Sequence, residues 1–314
     1  MGRLVQRENT REAKSIKVKP VSVPTAQAAS DFEGEARQLF RLKKVCHPSD
    51  FSAGNEVAFA HAVRIALSGR AELSILHVDE PSEETHSSDF PSVRSILARW
   101  GILPKGASRE ALKKTGLLIR KSQRIGHDPA KAIVRYVADH DPDLIVLATH
   151  QRQGLARWMN RAIAEPIARN AHAMSLFVPR RVMGFVSAES GAIRLENILV
   201  PIDRKPSPQS AVDAAVTLAV VLACPKVHFT FVYVGEETDR PAVEMPLQSG
   251  WTMANVTCAG DVVEQILLLS EQCNADLITM ATDGPEGFLD ALRGSTTERV
   301  LRGTKCPVLA IPAA

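Results

Sequence analysis

One run of this chain carries the spacing of a phosphate cradle. Residues 281–298 read Ala281-Thr282-Asp283-Gly284-Pro285-Glu286-Gly287-Phe288-Leu289-Asp290-Ala291-Leu292-Arg293-Gly294-Ser295-Thr296-Thr297-Glu298. Gly284, Gly287 and Gly294 have no Cβ, so backbone N–H groups there can approach a phosphate. Gly294-Ser295 falls where a helix should begin, and the free N–H groups of a helix start favour an anion. The same residues have a second account that needs no ligand. Ser295 and Glu298 stand at capping-box spacing, and Gly284 and Gly287 suit turns. Spacing alone leaves both accounts open.

Other reactive side chains are less organised. Asp283 and Glu286 put negative charge beside the proposed phosphates. A triphosphate there needs a divalent cation or Arg293 to offset the repulsion. A highly charged phosphate ligand would then bring a divalent cation such as Mg2+ with Asp283 near it, or the ligand carries less charge; as a plain loop acid, Asp283 holds no metal. His47, His61, His77 and His150 form no triad with an activated Ser or Cys, and read as surface or packing histidines. Trp100, Trp158 and Trp251 are dispersed and read as packing. His150, Arg152, Arg157 and Arg161 make a basic loop, which suits an anion or simply solvent. The five cysteines show no CxxC pair and no spacing for zinc. They read as reduced thiols of a cytoplasmic protein.

The elements that must position these residues alternate strand and helix. Leu42 to Cys46 is a strand ending at Pro48-Ser49-Asp50, and a helix follows from about Ala53. Strands are expected at Leu73 to Val78, Leu117 to about Arg124, Leu144 to Ala148 and Ser175 to Val178. Residues 80–116 are a polar connection with helical pieces at Val93 to Trp100 and Arg109 to Lys114. Asp128 caps a helix with Ala130, Ile133, Val134 and Val137 inward. The pattern then recurs. Strands are expected at Glu196 to Val200, Val227 to Val234, Thr252 to Cys258, Leu277 to Ala281 and Pro307 to Ile311. Ser207, followed by Pro208, is expected to cap one helix, and Asp261 to open another. The second half has a shorter second connection, so its second helix is expected to be missing.

The halves also match residue by residue. Asp143-Leu144-Ile145-Val146-Leu147-Ala148-Thr149 aligns with Asp276-Leu277-Ile278-Thr279-Met280-Ala281-Thr282. Gly126-His127-Asp128 aligns with Ala259-Gly260-Asp261 around its glycine. Asp50 pairs with Asp203 and Val78 with Val234. This is an internal duplication: a basic arm over 1–35, one domain over 36–180, a linker over 181–194 and a second domain over 195–314. Apolar strands alternating with amphipathic helices imply parallel sheets covered on both faces. Such sheets bind ligands at the carboxyl ends of strands, where strand order reverses. In the second half Pro201 to Asp203, Val234 and Ala281 onward converge there.

The duplicated unit resembles the universal stress protein domain over about residues 42–180 and 195–312. The family's nucleotide-binding members carry G-x2-G-x9-G-(S/T) after strand 4 and an Asp after strand 1. Here the register is Ala281-x2-Gly284-x9-Gly294-Ser295, with Ala in place of the first glycine. The tail Ser295-Thr296-Thr297-Glu298-Arg299-Val300-Leu301, then Cys306-Pro307-Val308-Leu309, is also family-like. The resemblance implies a Rossmann-like α/β fold, two tandem doubly wound five-stranded sheets forming a pseudo-dimer. It implies an adenine nucleotide held by Pro201, Asp203, Val234, Ala281, Asp283, Gly284, Gly287, Gly294, Ser295, Thr296 and Thr297. It also implies pairing through fifth strands, here Ser175 to Val178 with Pro307 to Ile311 inside one chain, with a homodimer of chains as a further step. In the first half Gln151, Arg161 and Ala162 replace the second and third glycines and the Ser, so ATP binding in the family manner is not expected there.

Charge and composition exclude other classes. Residues 1–20 hold six Lys/Arg against two Glu; residues 21–194 are net +6; residues 195–314 hold 8 basic against 15 acidic residues, net −7. The basic arm alone would favour nucleic acid, but the acidic second half and the lack of stacking motifs count against it. Its Glu8 and Glu12 count against a mitochondrial presequence. The most apolar stretch, Ala214 to Cys224, is 11 residues long and too short to cross a bilayer. Three functions remain: a stress-responsive regulator that binds ATP or AMP, an interaction scaffold without nucleotide serving a protein partner, and a slow ATP hydrolase. No P-loop lysine and no nucleophile–base pair supports the last.

Overall fold

A computed structural model describes residues 19–20, 41–81, 85–86, 88–149, 173–180, 182–246, 248–282 and 296–312. The strands are β1 (Lys19–Pro20), β2 (Lys44–Pro48), β3 (Glu72–Asp79), β4 (Leu118–Ile125), β5 (Leu144–Thr149) and β6 (Met174–Pro179) in the first half. The second half holds β7 (Asn197–Pro201), β8 (Val227–Val234), β9 (Trp251–Cys258), β10 (Leu277–Thr282) and β11 (Val308–Pro312). The α-helices are α1 (Glu56–Gly69), α2 (Val93–Arg99), α3 (Arg109–Lys114), α4 (Pro129–His140), α5 (Gln209–Val221), α6 (Val262–Gln272) and α7 (Thr296–Gly303).

The strands join in one sheet in the order β1-β9-β8-β7-β10-β11-β6-β5-β2-β3-β4. Within each half the five core strands run parallel, and strand order reverses between the first and fourth. The halves meet antiparallel at β11 and β6, with Val308 opposite Phe177, Leu309 opposite Leu176 and Ala310 opposite Ser175. The two five-stranded units are thus one continuous sheet through their fifth strands. The central strands are apolar on both sides because both faces are covered. The apolar faces of α1, α2 and α5 pack with Val45, Val146, Leu176, Leu309 and Ile311 in one core. On the opposite face, α4, α6 and α7 cover Ile145, Phe177, Ile278 and Val308. The first core runs unbroken across the β6–β11 joint.

Local chemistry explains most element starts. Asp128 accepts the Lys131 N–H at 3.3 Å, and Asp261 accepts the N–H groups of Val263 and Glu264 at 3.0 Å. One expectation fails. Helix α5 starts one residue later than the Ser-Pro pair implies, with Pro208 at the cap position in α conformation and no side-chain cap bond. Pro208 holds that position with its fixed φ, and its carbonyl accepts the N–H groups of Ala211 and Val212. The expected loss of a helix in the second half is seen: the described part of the β8–β9 connection holds a short 3-10 turn, Glu237–Asp239, where the first half has α2 and α3. The basic arm departs from a wholly unpaired reading in one place. Lys19 and Pro20 pair antiparallel with Asn255 and Ala254 on the outer edge of β9. The rest of the arm, residues 1–18 and 21–35, lies outside the described residues.

The segment between the halves is pinned, not loose. Phe185, Val186 and Leu195 are buried, and Val186 bridges Ile193. His61 on α1 holds this segment: its Nε2 accepts the N–H groups of Phe185 and Val186 at 3.1 and 3.2 Å. Its Nδ1 bonds to the Val57 carbonyl at 2.7 Å, and the Trp100 indole donates to Ala188 at 3.0 Å. Gly184 makes the approach feasible. Its φ is +66°, and a Cβ there would overlap the His61 ring. Gly184→Ala is therefore expected to cost about 3 kcal/mol of stability from strain and overpacking together, read by urea denaturation.

Candidate functional site

The reversal of strand order in the second half opens a cleft at the carboxyl ends of β7, β8 and β10. Its volume is about 430 Å³, within the range of small-ligand sites. Pro201 closes β7, the Ile202 N–H carries the pairing one bond further to the Val232 carbonyl at 2.8 Å, and the chain then turns away from the sheet. This turn leaves Asp203 exposed at the cleft, its carboxylate accepting the Arg204 N–H at 2.7 Å. Val232 and Val234 from β8 and Val262 and Ile266 from α6 supply apolar wall, with Met280 and Ala281 from β10. Thr296 and Thr297 line the far side where α7 begins. Lys205 adds a cation to the lining, and Arg204 reaches away to Asp239 at 2.7 Å.

Six of the expected site residues therefore lie around one cleft: Pro201, Asp203, Val234, Ala281, Thr296 and Thr297. Asp283, Gly284, Gly287, Gly294 and Ser295 lie outside the described residues, and so do Gln151, Arg161 and Ala162 of the first half. Ala281, where the family pattern has glycine, pairs in register with Ile311 inside β10. That is ordinary strand backbone, which Ala adopts without strain. Sequence reasoning missed Lys205, Tyr233, Val262, Ile266 and Met280 as lining. The helical spacing of Val262 and Ile266 after the Asp261 cap was the available signal.

In the first half the corresponding acid is engaged by side chains of its own copy. Asp50, the counterpart of Asp203, accepts from the Ser52 N–H at 3.0 Å and hydroxyl at 2.6 Å, and from the Asn55 amide. Arg180 pairs with its other oxygen at 2.6 Å. Burial raises the Asp50 pKa, but Ser52 and Arg180 outweigh it and hold the carboxyl below its usual range. Phe51, at φ 56°, stacks on His77 with ring centroids 3.9 Å apart, and Phe90 leans on it at 5.0 Å. His77 meets the buried Asp79 at 3.0 Å. Burial opposes charge on Asp79, yet Gln123, Thr85 and His77 together keep its pKa low.

One residue separates the two copies most clearly. Thr149 pairs with Pro179 at the end of β5–β6, and Thr282 with Pro312 at the end of β10–β11. The next residue is Arg180 in one copy and Ala313 in the other. The first copy's acid thus has a built-in guanidinium partner whose counterpart position in the second copy is alanine. Extending the internal alignment by one residue past those prolines finds this difference from sequence.

No helix among the described residues is long and apolar enough to cross a membrane. The five cysteines are free, with Cys46, Cys224 and Cys306 buried; burial pushes their thiols up to about 12, 11 and 11. Trp100 and Trp251 serve packing, the latter donating to the Cys224 carbonyl at 3.0 Å, and Trp158 lies outside the described residues.

Comparison with known proteins agrees with this architecture. A universal stress protein of Methanocaldococcus jannaschii is 29% identical over 147 residues, which is 44% of this chain and 82% of that protein. The crystal structure of a universal stress protein from Archaeoglobus fulgidus superposes with a TM-score of 0.55 at 16% identity, covering 88% of this chain and all of the other. A functionally unknown protein from Pseudomonas aeruginosa superposes at 0.55 and 13% identity, covering 87% of this chain and 93% of its own. These two likenesses concern the fold. The model of the universal stress protein family matches residues 41–179 and 254–312. With more than half its length so matched, the chain belongs to the universal stress protein family.

Proposed function

We propose that this chain is a cytoplasmic, stress-responsive regulatory protein that binds an adenine nucleotide, ATP or AMP, in the cleft of its second half. The ligand sets conformation or association and is not turned over rapidly. The observation that carries this reading is the contrast between the copies. Asp50 is held by Arg180 beside a stacked Phe51–His77 pair. Asp203, exposed as Asp50 also is, lines a cleft of about 430 Å³.

The residues present fit a nucleotide. Val234, Ile266 and Met280 offer an apolar wall to a base. Asp203 offers an acceptor for amino or hydroxyl hydrogens, and the N–H groups at the start of α7 suit an anion. The glycine spacing over 284–294 is the expected phosphate contact, with Asp283 as the residue that would meet Mg2+ if ATP is bound. Mass spectrometry of ligand released from purified protein is expected to find ATP or AMP. Asp203→Ala should weaken binding of the nucleotide found by about tenfold or more, the scale of a lost hydrogen bond to a charged group. Asp50→Ala should leave that affinity unchanged. Titration of ATP with and without magnesium tests the metal, since tight metal-independent binding removes it. Absence of retained or added nucleotide binding favours the scaffold, and rapid turnover lost in Asp203→Ala favours the hydrolase.

A further inference from the structure

The first half carries two helices that the second half lacks, and they wall a second cavity. Helices α2 and α3 fill the β3–β4 connection, where the described part of the β8–β9 connection has a short 3-10 turn. Residues 92–114, which hold both helices, carry six Lys/Arg against one acid, Glu110. A cavity of about 650 Å³ lies between α2, α3 and the start of β4, a size that suits a small organic ligand. Leu112, Leu117 and Ile119 give it an apolar wall. Among the described residues Glu72 is the one carboxylate in the lining, and Arg120 engages it at 2.7 Å.

Three further cations line this cavity from the helices: Arg94 on α2, and Arg109 and Lys113 on α3. Arg94 donates to the Ala107 carbonyl at 3.1 Å, which ties α2 to the approach of α3 and holds the guanidinium at the cavity. Arg109 and Lys113 are four residues apart, so they share one helical face and repel each other there. Arg109 also opens α3, the helix end at which a cation is least favoured. Glu110 does not line the cavity, and its carboxylate is held by its own N–H and by Ser108. On the strand side, the Lys121 ammonium lies 5.4 Å from the centre of the Phe90 ring. Burial, then the charges of Arg94 and Arg109, lower its pKa, as expected where cations gather. Local folding preferences thus run against this grouping of like charges, and a bound anion would relieve it.

We propose that this cavity binds a small organic molecule carrying two or more phosphate groups. The planar guanidinium groups of Arg94 and Arg109 suit phosphate oxygens in pairs, and Lys113 adds a point charge. Each phosphate brings up to roughly twice the charge of a carboxylate into the same volume, which matches three gathered cations. The organic part covers Leu112, Leu117 and Ile119. The site uses no residue of the second-half cleft, so it stands whether or not that cleft holds a nucleotide.

The test uses the full chain and inorganic tripolyphosphate, with methyl phosphate and citrate as controls. Isothermal titration calorimetry should show saturable tripolyphosphate binding at least about tenfold tighter than either control. Hydrogen–deuterium exchange is expected to show new protection over 93–99 and 109–114. The variant Arg109→Gln/Lys113→Gln changes exposed side chains only, and circular dichroism checks its fold. It should weaken binding by about tenfold or more. The variant Lys105→Gln/Lys114→Gln removes two cations outside the lining and should bind as the parent chain does. Equal loss in both variants would reduce the attraction to general surface charge and overturn the site. So would a failure of tripolyphosphate to bind, or binding without protection of 93–99 and 109–114. Citrate binding as tightly would overturn the phosphate class. Asp203→Ala should keep the protection over 93–99 and 109–114, which separates a failure here from a failure of nucleotide binding in the second half.

Discussion

Acidification from about pH 7 to about pH 5 is expected to remove about 4 kcal/mol of folding stability, with His47 and His61 contributing about equally. Both rings are fully buried, and burial lowers each pKa to about 4. In the unfolded chain an ordinary histidine takes its proton near pH 6.5. Between those values the unfolded state binds more protons than the folded state. Stability is then complete above about pH 6.5 and falls as pH drops toward 4. Each ring has its own structural reason to resist protonation. The His47 Nδ1 bonds the Val146 carbonyl at 2.9 Å, while its Nε2 is buried beside Phe59 without a hydrogen-bond partner among the described residues. A second N–H there would face an apolar wall, and the nearby Asp50 charge only partly offsets that cost. The His61 Nε2 is the acceptor for Phe185 and Val186, so protonating it breaks both bonds that hold the segment between the halves. Denaturant titrations across this pH range measure the slope. In His61→Gln, which cannot titrate, the slope should fall by about half. Constant stability from pH 7 to 5 would refute the account. The carboxylates Asp50 and Asp79, whose pKa values are lowered, add losses at lower pH, as it falls below the unfolded carboxylate value.

Asp276→Ala is expected to cost about 3 kcal/mol, and Asp143→Ala less. Each aspartate precedes the fourth strand of its half and binds the start of the first strand. Asp276 accepts the N–H groups of Glu196 and Asn197 at 2.9 and 3.0 Å through one oxygen. Asp143 does the same for Lys43 and Lys44 at 2.7 and 2.8 Å. The carboxylate therefore sets the register between neighbouring parallel strands that are far apart in sequence. Removing it strands two backbone donors that no ladder partner can satisfy. Asp276 is 9% exposed and Asp143 more so, and water can replace the exposed acceptor more easily. That difference orders the two variants. Asp276→Asn keeps an acceptor oxygen and should cost about half as much. Thermal or urea unfolding of the four single variants, Ala and Asn at each site, checks the ranking. Equal losses at both aspartates would show that burial does not set the cost.

The duplication made much of this architecture legible before any coordinates. The matched runs at 143–149 and 276–282 become strands β5 and β10, each pairing with both a first and a fifth strand. Asp128 and Asp261 act as caps because a short acceptor next to a helix start is a local device. Ser207 was the local device that failed, since Pro208 held the cap position itself. The site was legible where it depended on strand ends, as at Pro201, Asp203 and Val234. It was not legible where it depended on partners distant in sequence, as with Arg180 on Asp50 or His61 on Phe185.

By itself, the sequence determined the period and order of the elements, the two copies and the polarity of each half. Those properties follow from local propensity and from which residues can be buried. Only the tertiary structure decided that the two sheets are one, that the first copy's acid is taken by Arg180, and that Lys19 and Pro20 pair with the edge of β9. These depend on hydrogen bonds and charges meeting across many residues of chain. Such meetings are set by strand register and packing, which no single segment encodes.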